Sequence, residues 1–177
     1  MAVFESIRNF FLSPVAYQPE IVIPAPFTDY EVKSISIADI DTVLRLNLRC
    51  FRNGENYTKQ TFKYLLVQPQ SLAYAAVTPS GDMAGFVLVM NNPDGAAHIT
   101  TVCVAPEHRR RGIANMLIRH VDRSLRAKAV STVVLEVRVS NMAAQNLYIS
   151  NGYYVAQCMP RYYSNGEDGY LMMKSLS

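Results

Sequence analysis

The chain lacks the features that would place it in a membrane or in a fibrous class. No apolar run approaches the roughly 20 residues of a spanning helix, and Glu5 and Arg8 interrupt the hydrophobic stretch near the start. No low-complexity block and no internal repeat occur along the sequence. We therefore expect a soluble chain that makes no contact with a membrane.

Cysteine and histidine are sparse. The cysteines Cys50, Cys103 and Cys158 are far apart and include no CxxC pair, and no signal sequence indicates an oxidising compartment. The 3 histidines share no metal-ligand spacing with one another or with the cysteines. The sequence therefore predicts reduced thiols, a cytoplasmic protein and no metal site.

Charge is nearly balanced, with 17 basic and 14 acidic residues giving a net charge of +3. Arg109 to Arg111 form a basic cluster, but no second basic patch with interleaved aromatic residues accompanies it in the sequence. Nucleic acid is therefore not an expected partner. Apolar residues make up 50% of the chain and charged residues 18%, which is typical of a globular protein. A chain of 177 residues suits one domain.

Residues 1–29 form an extension that precedes the domain pattern. Phe4, Ile7 and Phe11 have helical spacing, and an extended stretch follows that contains Pro14, Pro19, Pro24 and Pro26. The first interpretation is a short helix and a strap packed on the domain's own surface. The alternative is a contact with a partner or with a second copy of the chain in an oligomer.

From Tyr30 onward, strand and helix patterns alternate. The predicted order is a strand at 30–35, helices at 36–50 and 58–67, strands at 71–78, 82–91 and 96–105, a helix at 112–128, a strand at 131–139, a helix at 141–150, and strands at 153–160 and 169–176. The helix at 112–128 crosses from one strand to the next, which requires a parallel pair. The predicted class is α+β, α/β in part, with a mixed and mostly antiparallel sheet flanked by helices.

The most specific motif joins the strand at 96–105 to the helix at 112–128. Arg109, Arg110 and Arg111 stand before Gly112, where unpaired helix N–H groups and a close backbone approach suit an anion. An isolated run of three arginines is typical of a solvated turn. Its position between a buried strand and a helix favours a phosphate site.

Arg109-x-x-Gly112-x-Ala114 resembles the Q/R-x-x-G-x-G/A signature of the GNAT superfamily, and the resemblance covers residues 30–177. It implies a single GNAT domain with acetyl-CoA as co-substrate. The pyrophosphate would bind the loop, and the pantetheine arm would lie between two central parallel strands that splay apart. The implied cofactor-binding residues are Val102, Cys103, Val104, Arg109, Arg110, Arg111, Gly112, Ile113, Ala114, Asn115 and Asn141.

A second block, residues 135–148, is similar to the ribosomal-protein alanine N-acetyltransferases and related enzymes that modify protein N-termini. The resemblance implies that Glu136 removes a proton from the attacking amine and that Tyr148 protonates the departing CoA thiolate. Strand alternation also puts Glu136 on the face opposite its apolar neighbours. The alternatives are a surface glutamate paired with Arg138 and a half-buried core tyrosine.

The acceptor site is indicated by residues 159–170, which are similar to the YY-x-x-G-E-D segment of N-terminal acetyltransferases. Tyr162 and Tyr163 would contact the substrate peptide, with Tyr57 on the opposite wall. Glu55 is either a second carboxylate near the amine or part of a surface turn. The implied substrate is a protein N-terminus, such as the N-terminal alanine of a ribosomal protein.

Two other functions remain open at the level of sequence. A GNAT enzyme can also acetylate a lysine side chain or a small-molecule amine. A non-enzymatic regulatory module would bind CoA without turnover. An acyl-cysteine relay through Cys103 is not expected, because a cysteine in a strand is usually a buried apolar residue.

Overall fold

The computed structural model describes residues 22–51, 57–92 and 95–177. The predicted helix that carries Phe4, Ile7 and Phe11 lies outside the described residues, as does Glu55.

Every element predicted between residues 30 and 177 is confirmed within these ranges, with small shifts at the ends. The helix predicted from Ser36 begins with a 3-10 turn, and the predicted capping box joins Ser36 to Asp39. The elements are β1 (Glu31–Ser34), α1 (Ile40–Cys50), α2 (Lys59–Val67), β2 (Ser71–Val77), β3 (Met83–Asn91), β4 (Ala96–Val104), α3 (Ile113–Ala127), β5 (Thr132–Arg138), α4 (Met142–Ser150), β6 (Tyr154–Met159) and β7 (Gly169–Ser175).

The strands form one mixed sheet in the order β1-β2-β3-β4-β5-β7-β6. The pair β4–β5 is parallel, and every other neighbouring pair is antiparallel. Helix α3 provides the crossover between the two parallel strands, as the sequence predicts. The fold is therefore a single mixed sheet with one parallel pair, the architecture that the resemblance implies.

The parallel strands β4 and β5 separate after a short paired stretch. Their register begins at Ala96 opposite Thr132 and ends at His98 opposite Val134. Further along, β4 stays paired with β3 and β5 stays paired with β7. We call the opening between residues 99–104 and 135–138 the fork; it confirms the predicted splayed pair.

Helices cover both faces of the sheet. Helices α3 and α4 pack on one face, where the core includes Leu117, Val121, Leu135 and Tyr148. Helices α1 and α2 pack on the other, where the core includes Val43, Leu46, Phe62 and Phe86. The two apolar layers hold β4 and β5 in place on either side of the fork.

Helix α3 is fixed to the sheet by an apolar stripe at steps of four residues. Ile113, Leu117, Val121 and Leu125 are at most 2% exposed. Burying one such side chain stabilises the fold by about 1.5–3 kcal/mol, so the stripe determines which way the helix faces. The first turn of α3, which follows Gly112, is thereby held at the mouth of the fork.

Residues 22–29 have no regular secondary structure, and we call them the strap. The amide of Ala25 donates to the carbonyl of Glu107 at 3.0 Å, and Arg111 donates to the carbonyls of Ala25 and Pro26. The strap therefore contacts the loop before α3, while the role of the whole extension stays a prediction.

The prediction of reduced cysteines is wrong for two of the three. Cys50, at the end of α1, is disulfide-bonded to Cys103 in β4, with their Cα atoms 6.2 Å apart. Packing of α1 on the sheet brings together residues 53 positions apart, which spacing alone does not reveal. Cys158 is a free, exposed thiol, as predicted.

None of the helices in the described ranges is long and apolar enough to cross a membrane. In the same ranges, no cluster of three or more histidine, cysteine and acidic side chains forms a metal site.

Candidate functional site

Glu136 forms a buried pair with His98 where the fork begins. The imidazole Nε2 of His98 lies 2.7 Å from Oε2 of Glu136, and the two side chains are only 6% and 11% exposed. Oε1 of Glu136 is buried without a hydrogen-bond partner. Since an unpaired buried carboxylate oxygen is costly, Oε1 is suited to accept a proton or an N–H group from a ligand in the fork.

The pairing corrects one sequence alternative. Glu136 pairs with His98 rather than with a residue of its own strand, and both Glu136 and Arg138 lie on the strand face predicted for them, opposite the buried Val133, Leu135 and Val137. Arg138 binds Glu167. The parallel pairing of β4 with β5 explains why Glu136 binds His98, because this pairing places His98 opposite Val134, two residues before Glu136.

Tyr148 lies on helix α4 and is close enough to Glu136 to be affected by its charge. Its side chain is 8% exposed and packs edge-on against the ring of Tyr153, with 5.7 Å between ring centroids. Burial raises the pKa of Tyr148, and the nearby Glu136 carboxylate raises it further. The phenol is therefore held in its protonated form, which is the state needed to donate a proton or a hydrogen bond.

Strand β4 contains a bulge inside the fork. Leu88 pairs with Thr101 and Val89 with Ile99, which leaves Thr100 as the extra residue. The hydroxyl oxygens of Thr100 and Thr101 are buried without hydrogen-bond partners. These hydroxyls and Oε1 of Glu136 thus belong to the two strands that border the fork, and none of them has a hydrogen-bond partner in the described part of the chain.

Tyr57 lies against this bulge. Its hydroxyl donates to the carbonyl of Thr100 at 3.2 Å, and its ring packs edge-on against Phe62. The side chain is 8% exposed, so Tyr57 is mainly a support for the bulge. Thr100, which Tyr57 contacts, lies two residues from His98 along β4, and the low exposure of Tyr57 leaves little of its surface for a peptide.

The loop before α3 has the geometry of a phosphate cradle. Gly112 has a φ of +77°, a conformation that favours glycine, and a Cβ placed there would meet no atom within 4 Å. No side chain caps the first turn of α3, so its first N–H groups are left without a side-chain acceptor. The residues present therefore fit a bound pyrophosphate, as acetyl-CoA would require.

The three arginines of the loop have different environments. Arg111 is bound to the strap. Arg109 donates from Nε to the carbonyl of Val104 at 3.2 Å. Arg110 is exposed at a φ of +62°, and no hydrogen bond or ion pair of its side chain occurs in the described part of the chain. Arg110 is thus the most available cation, which the sequence motif could not distinguish.

The other predicted cofactor residues differ in what they offer. Cys103 is buried and disulfide-bonded, so only its backbone can face a ligand. Asn115 accepts a 2.6 Å hydrogen bond from Asn151, which ties α3 to the end of α4. Asn141 caps α4 by accepting from the amide of Ala144 at 3.1 Å. Val102 and Val104 lie along the fork in β4, and Ile113 and Ala114 begin α3.

Tyr162 and Tyr163 lie in the loop between β6 and β7, which an ion pair fastens to β5. Arg138 binds Glu167 and stacks over the ring of Tyr163, 4.0 Å from its centroid. Hydrogen bonds from the hydroxyl and amide of Ser140, together with Arg138, lower the pKa of Glu167 to about 2. These contacts therefore fasten the loop to β5 at Arg138, two residues beyond Glu136.

Two functional features escape a reading of the sequence. His98 has no motif of its own and becomes significant only through the parallel register of β4 and β5. The second feature is the contact between Arg138 and Glu167, which are 29 residues apart in the sequence. Glu167 belongs to the YY-x-x-G-E-D segment, and this membership was the one signal that could have identified it as the anchor of the segment.

Comparison with known proteins agrees with this geometry. A sequence model of the Acetyltransferase (GNAT) family matches residues 40–153, a range that contains the fork, the cradle, His98, Glu136 and Tyr148. The N-alpha-acetyltransferase daf-31 of Caenorhabditis elegans is 32% identical over 155 residues, which cover 82% of this chain and 82% of that protein. A putative ribosomal protein bS18-alanine N-acetyltransferase of Bacillus subtilis is 29% identical over 154 residues, covering 85% and 98%.

The fold also agrees with a solved structure. The crystal structure of the ribosomal-protein-S18-alanine N-acetyltransferase from Escherichia coli matches with a TM-score of 0.77 and 26% sequence identity. The match covers 84% of this chain and 95% of that one.

Proposed function

This chain belongs to the Acetyltransferase (GNAT) family, and from that premise we propose that it transfers the acetyl group of acetyl-CoA to the N-terminal α-amino group of a protein. The observation that carries the proposal is the His98–Glu136 pair, with Oε1 of Glu136 buried and unpaired where β4 and β5 part. Residues 30–177 would form the catalytic domain, and residues 1–29 its extension.

The fork and the cradle support acetyl-CoA as the donor. Bound acetyl-CoA supplies the thioester whose carbonyl carbon the amine attacks. The cradle at Gly112 and the side chain of Arg110 would hold the phosphates, while the backbone from Val102 to Val104 would run alongside the rest of the donor. Backbone N–H groups in this stretch would stabilise the oxyanion that forms.

Glu136 would act as the general base. An α-ammonium group has a pKa near 8, so a carboxylate can take its proton at neutral pH, whereas a lysine side chain near 10.4 is harder to deprotonate. Oε1 of Glu136 is the oxygen available for this proton. His98 donates to Oε2 and thereby fixes the orientation of the carboxylate.

Tyr148 would act as the general acid. Its phenol stays protonated because burial and the nearby Glu136 raise its pKa. It lies on α4, whereas Glu136 lies on β5, so the proton acceptor and the proton donor belong to different elements. The phenol would donate to the sulfur of the departing CoA thiolate.

The acceptor is proposed from the loop that carries Tyr162 and Tyr163 and from the relatives. The relatives named above include an N-alpha-acetyltransferase and a ribosomal-protein-alanine N-acetyltransferase, and the N-terminal alanine of a ribosomal protein is accordingly the first substrate to try. The same proposal includes a cytoplasmic location and a protein partner, without a role for nucleic acid or membrane.

The experiment that tests the proposal is CoA release by the full chain with acetyl-CoA and short peptides that differ in their first two residues. A peptide with a blocked N-terminus and a free lysine serves as the matched acceptor control. We expect turnover on free N-termini, loss of turnover in Glu136→Gln and Tyr148→Phe, and none on the blocked peptide. Turnover on the blocked peptide would identify a lysine acetyltransferase, and CoA binding without turnover on any peptide would leave a small-molecule amine or a regulatory module.

A further inference from the structure

The strap is attached to the loop that forms the proposed phosphate cradle. The amide of Ala25 donates to the carbonyl of Glu107 at 3.0 Å. Tyr30, just after the strap, places its hydroxyl 2.9 Å from Nδ1 of His108, and the two rings pack edge-on. Ala25 and Tyr30 lie outside residues 40–153, the range that the family model matches, and both contact the loop between β4 and α3.

Arg111 makes the strongest link between the strap and the loop. Its Nη1 donates to the carbonyl of Pro26 at 2.6 Å and to the hydroxyl of Tyr30 at 3.1 Å, and its Nη2 donates to the carbonyl of Ala25. The guanidinium also stacks over Phe27, 5.0 Å from the ring centroid. A guanidinium has five N–H donors in a fixed plane, and here three of them are directed at the strap or Tyr30.

The loop is held from the opposite side as well. Arg49 of α1 binds Glu107 through two hydrogen bonds, of 2.9 and 2.8 Å. The loop therefore lies between α1 and the strap, with Glu107 contacting both through its side chain and its carbonyl. The loop that leads to Gly112 and the start of α3 is thus held from both sides.

We propose that Arg111 is a positioning residue that couples the strap to cofactor binding, and that it does not itself contact the phosphates. The inference rests on the proposed use of acetyl-CoA. With the strap in place, the loop is held in the conformation that receives the pyrophosphate, so binding requires less ordering. Arg110, which the strap does not engage, is the residue that meets the phosphate charge.

The test is a double-mutant cycle on CoA affinity in the full chain, measured by calorimetry. The strap side of the cycle is the pair Phe27→Ala and Tyr30→Phe, and the loop side is Arg111→Ala. Phe27 is 96% exposed, so its truncation leaves the core intact. Arg110→Ala is the matched control, since it removes the same charge from the next position.

We expect Arg111→Ala and the strap variant each to weaken CoA binding by about three- to tenfold, and their combination to weaken it no more than either alone. Arg111→Ala should keep the salt dependence of the wild type, whereas Arg110→Ala should weaken binding and flatten that dependence. Amide exchange at Ala25 should slow when CoA binds to the wild type but not to Arg111→Ala.

One result would overturn the inference: losses of CoA affinity that add up in the double variant, together with a salt dependence that Arg111→Ala flattens. It would mean that Arg111 contacts the phosphates. An unchanged affinity in both single changes would overturn it too, because the strap would then not influence the cradle. Failure of the wild type to bind CoA at all would instead reject the proposed function on which the inference rests. Circular dichroism and melting curves check that each variant is folded.

Discussion

His98 is the last residue of β4 that pairs with β5, and its Nε2 lies 2.7 Å from the carboxylate of Glu136, two residues beyond the end of this pairing in β5. One oxygen of Glu136 is thus held by the protein, and the other has no protein partner. A carboxylate in this arrangement can exchange a proton at Oε1 without losing its position.

Glu136→Gln is expected to lower kcat by about 10²–10⁴-fold, because the amide cannot accept a proton from the amine. The affinity for CoA should be unchanged, since Glu136 does not lie in the phosphate cradle. Steady-state kinetics with calorimetry of CoA binding measure both. Glu31→Gln, an exposed change in β1, is the matched control; a kcat that survives in Glu136→Gln would exclude Glu136 as the base.

His98→Leu is expected to reduce kcat, because Oε2 of Glu136 loses the hydrogen bond that orients the carboxylate. His98→Gln, which can still donate, should recover much of the activity. Steady-state kinetics on the three proteins, together with melting curves, distinguish positioning from general damage to the core. An equal kcat in all three would contradict the assigned role.

Tyr148→Phe is expected to lower kcat with little change in the KM for peptide, because only the proton donor is removed. The wild type should keep its activity up to about pH 10, the ordinary pKa of a phenol, since burial and Glu136 raise the pKa of Tyr148. The matched control is Tyr153→Phe: that hydroxyl is buried without a partner, so its removal should leave activity intact and stability equal or greater. Loss of activity in the control would move the acid to Tyr153.

The loop between β6 and β7, which carries Tyr162 and Tyr163, should loosen in acid. The folded protein holds the pKa of Glu167 at about 2, below its ordinary value of 4.5. The charged carboxylate of Glu167 therefore stabilises the folded state above pH 4.5, and this stabilisation is lost as the pH falls toward 2. The difference in the free energy of unfolding between the wild type and Glu167→Gln should therefore shrink over that window. Urea titrations at a series of pH values measure it; a difference that stays constant would contradict the assignment.

The disulfide between Cys50 and Cys103 closes a segment of 53 positions that contains α2, β2 and β3. In the chain-entropy model, a closed loop of this length stabilises the fold by about 4 kcal/mol. Cys50→Ser with Cys103→Ser should thus lower the free energy of unfolding by up to that amount, while Cys158→Ser should leave it unchanged. Thiol titration of unfolded, unreduced protein should find Cys158 alone; finding all three thiols would restore the original prediction.

The sequence predicts those parts of the fold that depend on local periodicity. Helix α3 has an apolar residue at every fourth position and begins at Gly112, so its extent and its buried side follow directly. The parallel pair follows from the length of that crossover. Glu136 and Tyr148 could be proposed as a catalytic pair because they stand in one continuous motif.

What the sequence could not provide were contacts between distant segments. The histidines were judged by metal-ligand spacing, which says nothing of a hydrogen bond across two strands. Arg111 shares its motif with Arg110, and only the path of the strap separates their roles. Tyr57 was expected to face a peptide, but its hydroxyl is used by a bulge whose position depends on the pairing of β3 with β4.

The fork divides the sheet into two groups of strands, which are hydrogen-bonded to each other through the short parallel pairing at its base. The strap, the cradle and the disulfide belong to the side of β1–β4, while Glu136 and the tyrosine loop belong to β5–β7. The core under α3 and α4 also joins the two groups, so warming or mild denaturant that opens the parallel pairing would misalign donor and acceptor while this shared core still holds the domain together. Loss of turnover should consequently precede the melting of the domain, and a bound donor that fills the fork should bring the two events together.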